Sequence, residues 1–138
     1  MHHTHYLWFE TKQRQEIIDI TDEVSAQVRA SGVREGFILV SAMHISASVF
    51  VNDHESGLWQ DILQWLEGTI APWDPDRYRH NETGEDNAAA HLRSLTVGHE
   101  VIVPITEAEV EQTIPVDMPV RRVQVNLDSA AIAEFDGQ

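Results

Sequence analysis

The sequence predicts an α+β fold: a single domain, residues 1–138, whose mixed or antiparallel β-sheets form a sandwich-like core packed with short helices. Three observations carry this. Short β-branched and aromatic runs are interspersed with amphipathic helical stretches along the chain. Their spacing is irregular, so hairpins are as much expected as crossovers, which argues against a doubly wound parallel sheet. The 138 residues are about one domain's worth, with no internal repeat, linker or boundary in between.

The elements follow in order. "YLWFET" (6–11) and "QEIIDI" (15–20) read as two short strands joined through polar residues, a hairpin. "TDEVSAQVRASG" (21–32) reads as a helix with Thr21 as N-cap, Asp22 and Glu23 where the dipole favours anions, Val24 and Val28 one turn apart, and Gly32 as the stop. "GFILVSAM" (36–43) is a continuous apolar run of strand length. The alternation of Ile45, Ala47, Val49 and Val51 then predicts a second central strand. "HESGLWQDILQWLEG" (54–68) places Leu58, Ile62, Trp65 and Leu66 on one helical face, with Asp53 as cap and Gly68 as stop. Two prolines make 69–84 a loop. "EDNAAAHLRSL" (85–95) is a helix starting near Glu85 or Asp86. "HEVIVPI" (99–105) and "VRRVQVN" (120–126) are strands, and "TEAEVEQTIP" (106–115) carries a capping-box pattern, Thr106 with Glu109.

Composition excludes several functions. At 42% hydrophobic residues there is enough apolar surface to offset the entropy of ordering, so the chain folds. With 23 acidic against 9 basic residues the formal charge is −14, which repels a phosphate backbone; nucleic acid is excluded as a partner. No apolar run approaches the ~18 residues of a membrane span. "MHHTHYLWFE" lacks the plan of a signal peptide, so no membrane partner and a cytoplasmic location are expected. The absence of cysteine removes disulfides and thiolate metal sites. His2, His3 and His5 read as the vestige of a tag and are set aside. No glycine-rich phosphate loop and no serine elbow is present.

Chemistry concentrates in "RYRHNETGEDNAAAHLRS" (77–94), which packs His80, Asn81, Glu82, Glu85, Asp86, Asn87 and His91 into twelve residues. Asn87 and His91, four apart, share one helical face. Neutral imidazoles suit zinc, and two or three histidines with a carboxylate leave a coordination position open for water or substrate. His44, at the polar start of "HISASVFVND", is the third candidate beside His80 and His91 if the fold brings it across. Arg77, Arg79 and Arg93 flank the cluster and point to an anionic ligand. Taken singly, the same residues also read as helix caps, turns and solvated loop positions. Likewise, Asn52 and Asp53 read as caps of the helix that follows them.

"EIIDITDEVSAQVRASGVREGFILVSAMHISASVFVND" followed by "DRYRHNETGEDNAAAHLRSLTVGHEVIVPI" resembles the YjbQ family, over about residues 16 to 105. The resemblance rests on the strand histidine before "ND", then "RHN" and then "GEDNAAAHL", together and in that order. It implies a small α+β protein, a homotrimer, with a histidine-containing polar pocket and a divalent metal ion, zinc or magnesium. His44, His80 and His91 would be metal ligands or pyrophosphate donors, with Asn52, Asn81 and Asn87 beside them, Asp86 orienting and Arg93 contacting the anion. The implied activity is a secondary thiamine-phosphate synthase activity, joining a pyrimidine diphosphate to a thiazole phosphate with release of pyrophosphate. The alternatives are a non-catalytic module binding a metal or small anion, and a metal-assisted hydrolase with Glu85 or Asp86 as base. In the C-terminal third the family's "GTWQ" strand is missing and "EFDG" stands at 134–137.

Overall fold

The computed structural model describes residues 3–107, 109–110 and 126–131. In chain order these form β1 (Glu16–Asp19), α1 (Thr21–Ser31), β2 (Gly36–Ser41), β3 (Phe50–Asn52), α2 (Ser56–Trp65), α3 (Ala88–Val97), β4 (Glu100–Thr106), β5 (Glu109–Val110) and β6 (Asn126–Ala131). A π-helical turn (Leu66–Ile70) extends α2, and a 3₁₀ turn (Arg79–Thr83) precedes α3. Two three-stranded sheets result, in the orders β1-β6-β3 and β2-β4-β5. Among the described residues every strand pairing is antiparallel, and only β4 and β5 are joined by a short turn, the other pairs being distant in sequence.

The alternation of β2 and β4 fixes which face is buried. Ile38 and Val40 on β2, and Val101, Val103 and Ile105 on β4, turn inward. They meet Val24 and Val28 of α1, Val49, and Ile18 and Val51 from the other sheet in one core. Both sheets thus share a core with α1, which lies across it through the two valines read from the sequence. Gly32 ends α1 in the left-handed region at φ 72°, where a side chain would be strained.

Several expectations are corrected. Residues 6–11 form no strand and hence no hairpin. Leu7 packs on the core, but Trp8 is 90% exposed, and among the described residues no strand runs beside the segment to pair its backbone. The strand expected from Ile45 onward is confined to Phe50–Asn52, because residues 44–49 turn over the end of α3. There Ser94 Oγ donates to the Ala47 carbonyl and the Gly98 carbonyl accepts from Val49 N–H. Glu55 rather than Asp53 caps α2, accepting from Gly57 and Leu58 N–H at 2.7 Å each. Gly68 does not stop that helix, which continues as the π turn until Ala71 N–H bonds the Leu66 carbonyl. The capping-box reading at Thr106 fails, since Glu107 turns the chain at φ 53° and Glu109–Val110 pair back on β4. The "EFDG" segment and most of "VRRVQVN" lie outside the described residues.

At the start of α1, Thr21 does not act as the cap. Its N–H and hydroxyl both bond Asp19 Oδ1, while Asp19 Oδ2 pairs with His54 Nδ1 at 2.6 Å. His54 also stacks on Trp59 with ring centroids 4.5 Å apart. Partial burial acts on the Asp19 carboxyl most strongly and upward, but the bonds from Thr21 and His54 together outweigh it and hold the group below its ordinary range. A depressed carboxyl contributes stability above its unfolded pKa and loses it as pH falls through the folded value. Asp19→Asn is therefore expected to lower unfolding free energy by about 1–2 kcal/mol at neutral pH. The difference from wild type should close below about pH 4. Urea unfolding at both pH values checks it, and a gap unchanged by acid would refute the assignment.

Candidate functional site

The site is built where the 3₁₀ turn hands the chain to α3. Gly84, at φ 98°, reverses the backbone after Arg79–Thr83, so that Glu85 and Asn87 fold back over His80. The helix begins at Ala88 with Asn87 as its flanking residue, later than Glu85 or Asp86. Its first turn is Ala88, Ala89 and Ala90, all buried, and their small size lets α3 sit close against the π turn. His91 projects from the next turn.

His80, Glu85 and His91 each bring a ligand atom to within 4.8 Å of the others. The two imidazoles meet edge to face with centroids 5.0 Å apart, and His80 Nε2 lies 3.7 Å from Glu85 Oε2. Asn87, almost buried, joins them: its Nδ2 donates to Glu85 Oε2 at 2.7 Å, and its Oδ1 lies 3.1 Å from His80 Nε2. Ligand atoms of a tetrahedral site stand roughly 3.4 Å apart when each bond is about 2.0–2.1 Å. Beside it lies an open pocket of about 400 Å³ lined by Ile45, Tyr78, Arg79, His80, Ala88, His91 and Leu92. Arg79 makes no ion pair among the described residues, so its guanidinium is available on the pocket wall.

The other residues expected at the site are placed differently. His44 is not in the cluster. Its Nδ1 accepts from Ser46 N–H at 3.2 Å and lies 2.7 Å from Ser46 Oγ. An acceptor Nδ1 puts the proton of the neutral ring on Nε2, so neither nitrogen offers a free lone pair to a metal. Arg93 is completely buried: its Nε donates to the Ala71 carbonyl at 2.8 Å and its Nη2 pairs with Glu67. It ties α3 to the π turn and does not line the pocket. Asp86 Oδ2 instead bonds Arg14 Nη1 at 3.1 Å, and that guanidinium lies 4.2 Å from the Trp73 ring centroid. It is Asn87, and not Asp86, that bonds Glu85 and lies against His80. Asn81 stitches the loop together, accepting from Ala88 N–H and donating to the Pro75 carbonyl. Asn52, exposed at the end of β3, accepts from Asp53 N–H at 2.8 Å and does not line the pocket.

Glu85, Arg79 and Ile45 are the site residues the ligand assignment did not include. Glu85 had a signal in the sequence, a carboxylate directly after Gly84 and two positions before Asn87.

Fold and site together define a small α+β domain with a pocket at the start of a helix, lined by two histidines that a glutamate approaches from one side. Residues 5–114 match the family described as "UPF0047 protein YjbQ-like", and the chain belongs to that family. It is 38% identical over 109 residues to a UPF0047 protein of Methanothermobacter thermautotrophicus, covering 79% of this chain and 74% of that one. To the UPF0047 protein YugU of Bacillus subtilis it is 34% identical over 93 residues, 67% of each chain. Among solved structures it resembles a YbjQ-like protein of unknown function from Sulfolobus solfataricus, with a TM-score of 0.71 and 30% identity, over 88% of this chain and 79% of that one. Among the described residues no helix is long and apolar enough to cross a membrane.

Proposed function

We propose that this protein binds a divalent cation through His80, Glu85 and His91 and uses the adjoining pocket for a small phosphorylated substrate. The observation that carries the reading is the approach of three ligand atoms to within 4.8 Å beside that pocket. Two imidazoles and one carboxylate leave a fourth position for water or substrate, and this donor set favours zinc over magnesium, which prefers oxygen ligands. Bound there, the cation supplies fixed positive charge against phosphate oxygens. The protein's own groups do the remaining work. Arg79 donates to a phosphate, Asn87 holds His80 and Glu85 in register, and Ile45, Ala88 and Leu92 form an apolar wall for a heterocyclic ring.

The reaction that fits is the one the family resemblance implies. The thiazole nitrogen lone pair forms a C–N bond to the pyrimidine's methylene carbon, the C–O bond to pyrophosphate breaks, and pyrophosphate leaves with that electron pair. In this reading the working form is a cytoplasmic homotrimer.

The test is calorimetric titration of metal-free protein with zinc, with His2, His3 and His5 replaced by alanine so that they do not compete. One ion per chain is expected. Release of pyrophosphate should then require both substrates. Zinc binding without any pyrophosphate release reduces the function to a binding module, and no zinc binding at micromolar concentration eliminates the site.

A further inference from the structure

We propose that Arg14 and Trp73 are positioning residues for the pocket: they hold Asp86 at two points and so keep its neighbours Glu85 and Asn87 against His80. The consequence for cation affinity rests on the site reading given above, whereas the holding of this arm does not.

Residues 84–87 carry Glu85 and Asn87 yet belong to no helix or strand. Gly84, at φ 98°, has no side chain to restrain the backbone that enters them. Such a segment keeps a fixed course only where contacts from outside hold it. Asp86, between the two site residues, receives them at both its side chain and its main chain. Arg14 Nη1 donates to Asp86 Oδ2 at 3.1 Å, and Trp73 Nε1 donates to the Asp86 carbonyl at 3.2 Å. The two partners also meet each other, the guanidinium lying 4.2 Å from the Trp73 ring centroid. Three contacts thus close a triangle, and Asp86 leaves its place only by giving up two of them.

The triangle is joined to the helix that carries His91. Gln15, next to Arg14, donates to Glu67 Oε2 at 2.8 Å, and Trp73 N–H donates to Glu67 Oε1 at 2.9 Å. Glu67 in turn pairs with Arg93, buried on α3 two residues after His91. A path of bonds therefore runs from α3 through Glu67 to residues 14, 15 and 73, and from there to the arm. Its ends are His91 and Glu85, whose ligand atoms stand within 4.8 Å of each other. The Arg14 and Asp86 side chains are 44% and 41% exposed, so their pair adds little to global stability. What it fixes is the place of Glu85 and Asn87.

Charge gives the test its sign. Arg14→Ala removes a positive charge near a cation site, and by Coulomb attraction alone it would tighten zinc binding. Positioning predicts the opposite. In protein lacking His2, His3 and His5, Arg14→Ala should weaken zinc binding about tenfold in calorimetric titration, as the loss of contacts that orient ligands does. Trp73→Phe, which keeps an aromatic face and loses the N–H, should weaken it about threefold and serves as a second variant. The double variant Arg14→Ala/Asp86→Ala has the net charge of wild type. Its affinity should lie within about twofold of that of Asp86→Ala alone, because the two side chains act as one unit. The metal-free proteins give a second readout. The side-chain amide of Asn87 donates to Glu85, so its nuclear magnetic resonances in wild type should stand apart from those of solvent-exposed asparagines and move to them in Arg14→Ala. Thermal midpoints within about 3 °C of wild type are expected throughout. Zinc affinity unchanged or raised in Arg14→Ala overturns the positioning role. So does a double variant restored to wild-type affinity, or one whose loss is the product of the two single losses. Asn87 resonances unmoved by Arg14→Ala overturn the holding of the arm. A wild type that binds no zinc removes the cation reading alone, and the Asn87 resonances then decide this proposal by themselves.

Discussion

Glu67→Ala is expected to lower the free energy of unfolding by about 3 kcal/mol, the low end of the cost of stripping a buried charge of its partner. Arg93 has no exposed surface, and its Nη2 pairs with Glu67. Its Nη1 has no partner among the described residues, so removing Glu67 leaves only the bond from Nε to the Ala71 carbonyl. Glu67 also accepts from Gln15 Nε2 at 2.8 Å and from Trp73 N–H at 2.9 Å, which joins the N-terminal segment and the loop after the π turn to α3. The carboxylate is 42% exposed, so water can partly replace it, and this places the expectation at the low end. On Glu67 partial burial acts most strongly and upward, but the bonds from Trp73, Gln15 and Arg93 outweigh it and leave the carboxyl below its ordinary range. The contribution is accordingly present above the unfolded glutamate pKa and is lost as pH falls through the folded one. Urea unfolding at neutral pH and below about pH 4 should show a wide gap that narrows in acid. A loss below about 1 kcal/mol at neutral pH would show that Arg93 finds another partner.

That arrangement also explains why the sequence assigned Arg93 to the wrong place. Successive helical residues turn by about 100°, so Arg93 lies about 200° around α3 from His91, and the two cannot face one pocket. The grouping of basic residues near the cluster suggested an anion contact, while the helical phase already pointed Arg93 toward the π turn. Asp86 and Asn87 depended similarly on where α3 begins. Starting it at Ala88 turns Asp86 out to Arg14 and leaves Asn87 between His80 and Glu85. The convergence of His80 and His91 was legible because the turn and helix that carry them are close in sequence. His44 lies 36 positions before His80, and its fate hung on a local bond to Ser46 that no spacing rule reveals. The strands β2 and β4 were legible from apolar runs alone. Residues 6–11 form a comparable apolar and aromatic run, yet pairing depends on a neighbouring backbone that a local pattern does not specify.

His91→Ala separates a ligand from a core residue. The imidazole is partly buried, lines the pocket and touches His80 edge to face, and its ring nitrogens bond no described residue. Alanine is the better helix former and follows three alanines already in α3, so the metal-free variant should unfold within about 1 kcal/mol of wild type. Zinc affinity, by contrast, should fall at least tenfold, because changes to residues that merely orient a ligand already cost about 10–100-fold. The two effects have opposite origins. A side chain whose packing mattered more than its nitrogens would leave a cavity, costing roughly 2–4 kcal/mol with no ion present. Thermal unfolding of both metal-free proteins, followed by zinc titration of each, measures the two quantities independently. A strongly destabilised variant that still binds zinc as wild type does would remove His91 from the site, and with it the three-ligand set on which the cation reading rests.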